Sequence, residues 1–400
     1  FEVAVSFASV RASIGLYFFS CSIFWLRSFI LLPLDIPQPS TSMPMLSALP
    51  AIIRTAASRS FAFKSFIFIV AISSNCARVT LPTFSLFGSP LALSIPAAFF
   101  NKIAEILKIE GINYLSAFPT TNMIESAAKI GIKPIICRQE RAGVGIADGF
   151  SRINNGSPLG VFAMQYGPGA ENAYSGIATA YSDSVPMLLL PLGHPTDRDR
   201  IFPNFSSIES FATITKYAEQ INYPGKVVDT MRRAFANIRM GRPGPVLVEI
   251  PTDVGEAEVS AELLKGYSTT PSIISQGNPS DVDKIAKILL GAKNPVIYAG
   301  QGVLYSEATS ELEELAELSG IAVTTTMAGK SAFSEIHPLS LGSSSGVMND
   351  AVYHYIDTSD VVLGIGTSFT KHGMTTTIPQ GKTLLQITNC LLYTSPRPRD

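Results

Sequence analysis

The sequence predicts an α/β chain built as two doubly wound parallel-sheet domains in tandem. Three observations lead there. Short runs that are apolar at nearly every position, such as Leu159 to Ala163, Met187 to Leu192 and Pro295 to Ala299, alternate with segments of helical period. Runs of that kind suit strands covered on both faces, and their alternation with helices suits parallel pairing. The pattern occurs twice, on either side of a Ser-, Thr-, Pro- and Gly-rich stretch at 255–280 that reads as a linker. Finally, 400 residues exceed the length of a single ordinary domain of about 100–200 residues.

The first unit begins with a helix from Lys102 to Glu110, where Ile103, Ile106, Leu107 and Glu110 fall at helical spacing and Gly111 ends it. A strand from Ile112 to Ala117 closes at Phe118-Pro119. Helix Met123 to Ile130 is stopped by Gly131 and followed by strand Lys133 to Cys137. Glu140 to Arg152 is a helix rich in small residues, before strand Leu159 to Ala163. Helix Ala170 to Ser182 precedes strand Met187 to Leu192. Helix Lys226 to Met240 and strand Pro245 to Ile250 complete the unit. The second unit follows the same rhythm. Helix Asp281 to Leu290 leads to strand Pro295 to Ala299, helix Ser306 to Ser319, strand Ile321 to Thr325, strand Val361 to Ile365 and a last sheet segment at Leu385 to Thr388.

Composition excludes several classes and divides the chain. Thirty basic against 31 acidic residues leave no footprint for nucleic acid or an anionic membrane surface. The four cysteines, Cys21, Cys76, Cys137 and Cys390, have no metal-ligand spacing and are too few for a disulfide framework. Residues 1–100 hold only eight charged residues yet 14 of the 23 Phe, so they read apart from the rest of the chain. Their apolar runs at 13–34 and 61–72 are interrupted by Arg27 and Lys64. A leader foreign to the fold, such as an antisense translation, an organellar transit peptide or membrane anchor, and a genuine fold element are the readings such a composition leaves open. The Pro/Arg tract at 390–400 also breaks the pattern and reads as a non-native tail. The expected organisation is therefore a leader at 1–100, a first domain at 101–254, a linker at 255–280, a second domain at 281–389 and the tail. A cytoplasmic location is expected, or an organellar one if the leader is a genuine transit peptide, with no membrane span.

Two features could carry chemistry. Glu140 directly follows a strand and opens a helix, where a carboxylate favours the helix N-terminus. First-turn acids are commonplace, so this placement alone also fits a purely structural role. Small residues Ala142, Gly143, Gly145, Ala147 and Gly149 make its helix thin enough for close approach. The second is Tyr166-Gly167-Pro168-Gly169, a glycine loop between a buried strand and a helix that brings a ligand to the carboxyl edge of a parallel sheet. It is neither a dinucleotide fingerprint nor a P-loop, and a bare turn is its bland reading. His194, His337, His354 and His372 read as loop, surface or packing residues, and Gly300-Gln301-Gly302 as a strand-to-helix turn or a nucleotide contact.

With these residues in view, the stretches RQERAGVGIADGFSR at 138–152, YGPGAENAYSGIATAYSDSVPMLLL at 166–190, ITKYAEQI at 214–221 and GRPGPVLVEIPTDV at 241–254 resemble the pyrimidine-binding domain of thiamine diphosphate-dependent enzymes, specifically the acetolactate synthase-like group. NPVIYAGQGV and DVVLGIGTSF, within 278–389, resemble the family's central domain. The resemblance implies a flavodoxin-like first domain and a Rossmann-like second one. It implies that Glu140 hydrogen-bonds the aminopyrimidine ring of the cofactor, with Gly167, Pro168, Gly169 and Asn172 beside that ring. It further implies a 2-oxo acid substrate such as pyruvate, Mg2+ on the cofactor's diphosphate and a homodimer or homotetramer.

The family's Gly-Asp-Gly…Asn motif, which holds Mg2+, does not occur in these 400 residues, so the expectation is a fragment that is inactive alone. Phe118-Pro119-Thr120, Phe202-Pro203-Asn204 and Ser368-Phe369-Thr370-Lys371 depart from the acetolactate synthase pattern and leave substrate and FAD open. A simple 2-oxo acid decarboxylase, a 2-hydroxyacyl-CoA lyase and a non-catalytic dimerisation module are the alternatives.

Overall fold

The computed structural model describes residues 98–272, 275–370 and 376–390. Residues 1–97 of the expected leader, including both apolar runs, lie outside the described residues, as do Lys371, His372 and the tail beyond Cys390. Among the described residues no helix is long and apolar enough to cross a membrane.

The first unit runs α1 (Ala98–Ile109), β1 (Tyr114–Ala117), α2 (Met123–Lys129), β2 (Lys133–Ile136), α3 (Glu140–Ile153), β3 (Gly160–Met164), α4 (Pro168–Ser182), β4 (Met187–Gly193), α5 (Ser207–Phe211), β5 (Tyr217–Gln220), α6 (Val227–Arg239), β6 (Pro245–Pro251) and α7 (Thr252–Gly255). Its six strands order as β2-β1-β3-β4-β6-β5, and every pair is parallel. The second runs α8 (Pro279–Gly291), β7 (Pro295–Ala299), α9 (Gly302–Tyr305), α10 (Thr309–Ser319), β8 (Ala322–Thr326), β9 (Ser340–Ser344), α11 (Asp350–Thr358), β10 (Val361–Ile365) and β11 (Thr383–Ile387). Its five strands order as β11-β10-β7-β8-β9, again all parallel.

Strand periodicity explains why the runs are apolar throughout. Val161 and Ala163, Leu188 and Leu190, and Val246 and Val248 face one core, shared with Ile103 and Leu107 of α1 and Met231 and Phe235 of α6. Their neighbours Phe162, Met164, Leu189 and Leu247 face the opposite core, against Val144 of α3 and Ala173 and Ile177 of α4. Successive side chains point to opposite faces, so a sheet with helices on both sides needs an apolar residue at each position. The second sheet repeats this, with Ile297 and Ala299 on one face and Val296 and Tyr298 on the other.

The strand order reverses between β1 and β3 in the first sheet and between β7 and β10 in the second. In open parallel sheets, the crevice at the carboxyl ends of such strands is where ligands bind.

The elements differ from expectation in physically readable ways. The first helix starts at Ala98 rather than Lys102, because Phe99 and Phe100 are fully buried core residues. Strands β5 and β9 escape the periodicity reading since they are edge strands, only half-buried, with sequences YAEQ and SLGSS. Helix α11 is not among the expected elements; Asn349 caps it by accepting from the Val352 N–H at 2.8 Å.

The expected linker is docked over part of its length. Tyr267 donates its hydroxyl proton to Glu110 at 2.7 Å, Arg239 pairs with the other Glu110 oxygen at 2.7 Å, and Arg232 donates to the Gly266 carbonyl at 2.7 Å. Burial, followed by the neighbouring Glu110 carboxylate, pushes the Tyr267 hydroxyl above its ordinary range, so it stays a donor.

Glu249 near the end of β6 is the buried acid with a pH signature. It is 4% exposed and accepts from the Gln220 amide at 2.7 Å. Burial raises its pKa above the ordinary 4.5, nearby Asp199 raises it further, and the Gln220 bond opposes this. The folded chain thus holds this proton more tightly than the unfolded chain. That stability is present below pH 4.5 and is lost as pH climbs through the raised value. Glu249→Gln is expected to raise the melting temperature at neutral pH, with the gain shrinking toward pH 4.5. Melting curves from pH 4.5 to 8 with a constant difference would contradict this.

Candidate active site

At the β1/β3 switch point, three loops converge. After β2, Cys137 leads to Gln139, whose backbone is extended (φ −146°, ψ 143°) and whose side chain makes no cap. Helix α3 therefore opens on Glu140 with its first N–H groups uncapped by a side chain. The α3 start is fixed to β1 twice: Ser116 donates to the Gly143 carbonyl at 2.8 Å, and the Cys137 thiol donates to the Ala117 carbonyl at 3.2 Å. A side chain at Gly143 would begin 2.2 Å from the Phe162 ring, so α3 can lie this close to β3 only with glycine there. Burial raises the Cys137 pKa, with Glu140 adding to the effect, so this thiol stays protonated and structural.

From β3, the chain turns at Gly167 with φ 55° and ψ −120°, a conformation that glycine adopts without steric cost. Pro168 takes the first position of α4, where its missing N–H is no loss. Gly169 and Asn172 are three residues apart and so share one face of α4. That face meets Glu140. Asn172 donates its amide to Glu140 Oε2 at 2.8 Å, and a Cβ on Gly169 would stand 2.7 Å from Glu140 Oε1.

The site is therefore a carboxylate only 5% exposed, with one oxygen held by an amide. Its other oxygen lies against a bare glycine, with no hydrogen bond to a protein group among the described residues. An isolated first-turn acid would be solvated. This one is buried, oriented and open on one atom, which suits a single hydrogen bond to the edge of a flat ring carrying an N–H. Phe118 ends β1 beside the glycine loop, its N–H bonded to the Ala163 carbonyl at 3.1 Å.

The sequence-predicted residues Glu140, Gly169 and Asn172 come together directly, while Gly167 and Pro168 set the turn that brings α4 in. His194 is half-buried, its ring 4.8 Å from that of Tyr166 in the glycine loop. His354 lies 6.1 Å from the Tyr355 ring and is exposed.

Two other candidates resolve as packing. Glu313, Glu317 and His337 gather their ligand atoms within 4.8 Å of one another. Yet His337 Nδ1 accepts from the Leu339 N–H at 3.1 Å, so the neutral ring carries its proton on Nε2, facing Glu317 at 3.4 Å. A metal would need that nitrogen bare, and this set does not fit Mg2+, which takes oxygen ligands.

At the second switch point, the Gly300 N–H is spent on the Ile365 carbonyl at 2.8 Å and the Gly302 N–H on the Gly366 carbonyl at 2.9 Å. A Cβ at Gly300 would meet Gly366 O at 2.4 Å. The turn is closed by the β10 loop, which takes both of these N–H groups.

Comparison with known proteins agrees with this geometry. The family described as "Thiamine pyrophosphate enzyme, N-terminal TPP binding domain" matches residues 99–217, and "Thiamine pyrophosphate enzyme, central domain" matches 282–390. The "Probable acetolactate synthase large subunit" of Methanocaldococcus jannaschii is 35% identical over 280 residues, which is 67% of this chain and 46% of that protein. "Acetolactate synthase 2, chloroplastic" of Nicotiana tabacum is 32% identical over 300 residues, 71% of this chain and 43% of that protein. The chain thus spans about half the length of the curated relatives it matches. On its two matched domains, its two parallel sheets and these relatives, the chain belongs to the thiamine pyrophosphate enzyme family and is acetolactate synthase-like.

Proposed function

We propose that this chain supplies the cofactor-activating carboxylate of a thiamine diphosphate-dependent 2-oxo acid decarboxylase and carboligase. The observation that carries the reading is the buried Glu140 carboxylate, oriented by Asn172 and left open on Oε1 beside Gly169. Thiamine diphosphate, when bound, supplies a thiazolium carbon that adds to the substrate carbonyl and accepts the electrons released with CO2. Glu140 holds a proton at the ring nitrogen of the aminopyrimidine through Oε1. Asn172 keeps the carboxylate from rotating away by binding Oε2. Gly169 leaves room for the flat ring, and the turn at Gly167 sets α4 at the distance this requires. Burial of the carboxylate excludes competing water.

Pyruvate, alone or with a second 2-oxo acid, is the substrate class that the acetolactate synthase relatives suggest, and branched-chain amino acid biosynthesis is the corresponding context. Two pyruvates would give one CO2 and one 2-hydroxy-2-methyl-3-oxobutanoate. Assembly as a homodimer or homotetramer suits the outer face of α3 and α4. There Gly145 and Gly149 have open space where a Cβ would stand, and Ile146, Tyr174 and Tyr181 are exposed. Among the described residues we assign no set to Mg2+ and no nucleotide turn to FAD.

The test is product analysis of the enzyme containing this chain, incubated with carbon-13-labelled pyruvate and thiamine diphosphate and read by NMR. The expected product is the five-carbon hydroxy oxo acid with one CO2. Acetaldehyde without carbon–carbon bond formation would make it a simple decarboxylase, and no CO2 at all would contradict the reading.

A further inference from the structure

Beyond β4 and β6, at the far edge of the first sheet, the carboxyl end of β5 carries a second cleft. Its volume is about 300 Å3, at the small end of ligand-sized sites. Strand order β3-β4-β6-β5 places it about 14 Å across the sheet from β3, at roughly 4.8 Å per strand, so it is separate from the Glu140 site. The residues that matter are Asp199 and Arg200 from the loop after β4, Ser206 and Ile208 around the start of α5, Gln220 at the end of β5 and Lys226 before α6.

The charges in this cleft are only partly spent on one another. Glu219 is committed, since Arg233 holds it at 2.6 and 2.9 Å and Tyr217 donates to it as well. Arg200 approaches Asp199 and Glu209 at 3.9 Å each, too far for its donors to make hydrogen bonds. Its backbone stands at φ 57°, a costly conformation for a residue with a side chain. Lys226 lies over the Tyr223 ring at 5.4 Å, and no hydrogen bond of its ammonium group is seen among the described residues. Ser206 Oγ accepts from the Glu209 N–H at 3.3 Å, which leaves its own proton to donate. Gln220 gives its amide N–H to Glu249 at 2.7 Å, which leaves its carbonyl oxygen to accept.

Two cations, Arg200 and Lys226, and one uncommitted carboxylate, Asp199, therefore line one small space, with donors on one set of residues and acceptors on the other. A simple anion would meet Asp199, and a simple cation would meet Arg200 and Lys226. A molecule carrying both charges satisfies the whole set. We propose that this cleft binds a free α-amino acid as its zwitterion. The carboxylate takes Arg200, Lys226 and the Ser206 hydroxyl. The ammonium takes Asp199 and the Gln220 carbonyl oxygen. A short aliphatic side chain rests on Ile208.

The test is isothermal titration of the 400-residue chain with L-alanine and L-valine, using acetate, L-lactate and methylamine as single-charge probes. The expected result is saturable binding of the amino acids at millimolar affinity or better, with the three single-charge probes at least about tenfold weaker. Arg200→Gln and Lys226→Ala should each weaken amino acid binding about tenfold, and Asp199→Asn should do so without weakening acetate. Both cations are at the surface, and unchanged melting temperatures of the unliganded variants verify that they fold. No saturable binding of either amino acid would overturn the proposal. So would equal binding of acetate, or binding that all three variants retain. None of these outcomes bears on the Glu140 site.

Discussion

Glu140→Gln is expected to lower 2-oxo acid turnover by the enzyme containing this chain at least about 100-fold, within the range of positioned proton-transfer groups. The melting temperature should hardly move. Glutamine has nearly the same shape and can still receive the Asn172 amide on its carbonyl oxygen, so the 2.8 Å contact survives. What it loses is the acceptor charge on the second atom. If Glu140 served only the α3 dipole, the cost would appear instead as about 0.3–1 kcal/mol of stability, with turnover intact. Steady-state kinetics and a thermal melt on one preparation separate the two roles.

Glu110→Ala is expected to destabilise the fold by about 3–5 kcal/mol, the usual result of removing one partner from a buried ion pair. The Glu110 side chain is fully inaccessible, and Arg239 beside it is only 20% exposed. Without the carboxylate, Arg239 keeps its bond to the Thr270 carbonyl at 2.5 Å but loses its counter-charge, and the Tyr267 hydroxyl loses its acceptor. The segment 266–271, now tied to the end of α1 and to α6, would come loose. Urea unfolding followed by circular dichroism measures the loss, and a decrease below about 1 kcal/mol would place the pair with ordinary surface salt bridges.

These two glutamates mark how far the sequence can be read. Glu140 was legible because its surroundings are local: a strand, a helix start and a glycine loop one strand later. The contact that distinguishes it from an ordinary first-turn acid is less so. Asn172 reaches Glu140 only because α3 and α4 pack side by side, and residues 32 positions apart carry no shared period. Glu110 read as the last position of an amphipathic helix and gave no hint of a partner at Tyr267, 157 residues on. The linker at 255–280 has the composition of a loose connection, yet hydrogen bonds from neighbouring helices and the packing of Val259, Leu263, Leu264 and Tyr267 on the first core hold part of it down.

The parallel sheets were legible wherever both faces are covered, as at Met187 to Leu192, because every residue is then apolar. At two of the four edges this signal fails. Tyr217–Gln220 and Ser340–Ser344 pair as strands through the backbone, with side chains that solvent partly tolerates. Glycines divide in the same way. In the helix after Glu140, the alternation of Gly143 with Gly145 reads only as thinness. Position decides their roles, since Gly143 lies against Phe162 whereas Gly145 has open space. Gly300-Gln301-Gly302 reads first as a turn and second as a nucleotide contact, and the N–H groups of Gly300 and Gly302 are spent on the carbonyls of Ile365 and Gly366.

The claim that Glu140 activates the cofactor is tested most directly by proton exchange at the reactive thiazolium carbon. Thiamine diphosphate bound to the enzyme containing this chain is transferred to deuterium oxide, quenched with acid and read by proton NMR. Exchange in the Glu140→Gln variant should be at least about 100-fold slower than in the unaltered enzyme, with the cofactor still bound. Equal exchange rates in the two would contradict the assignment.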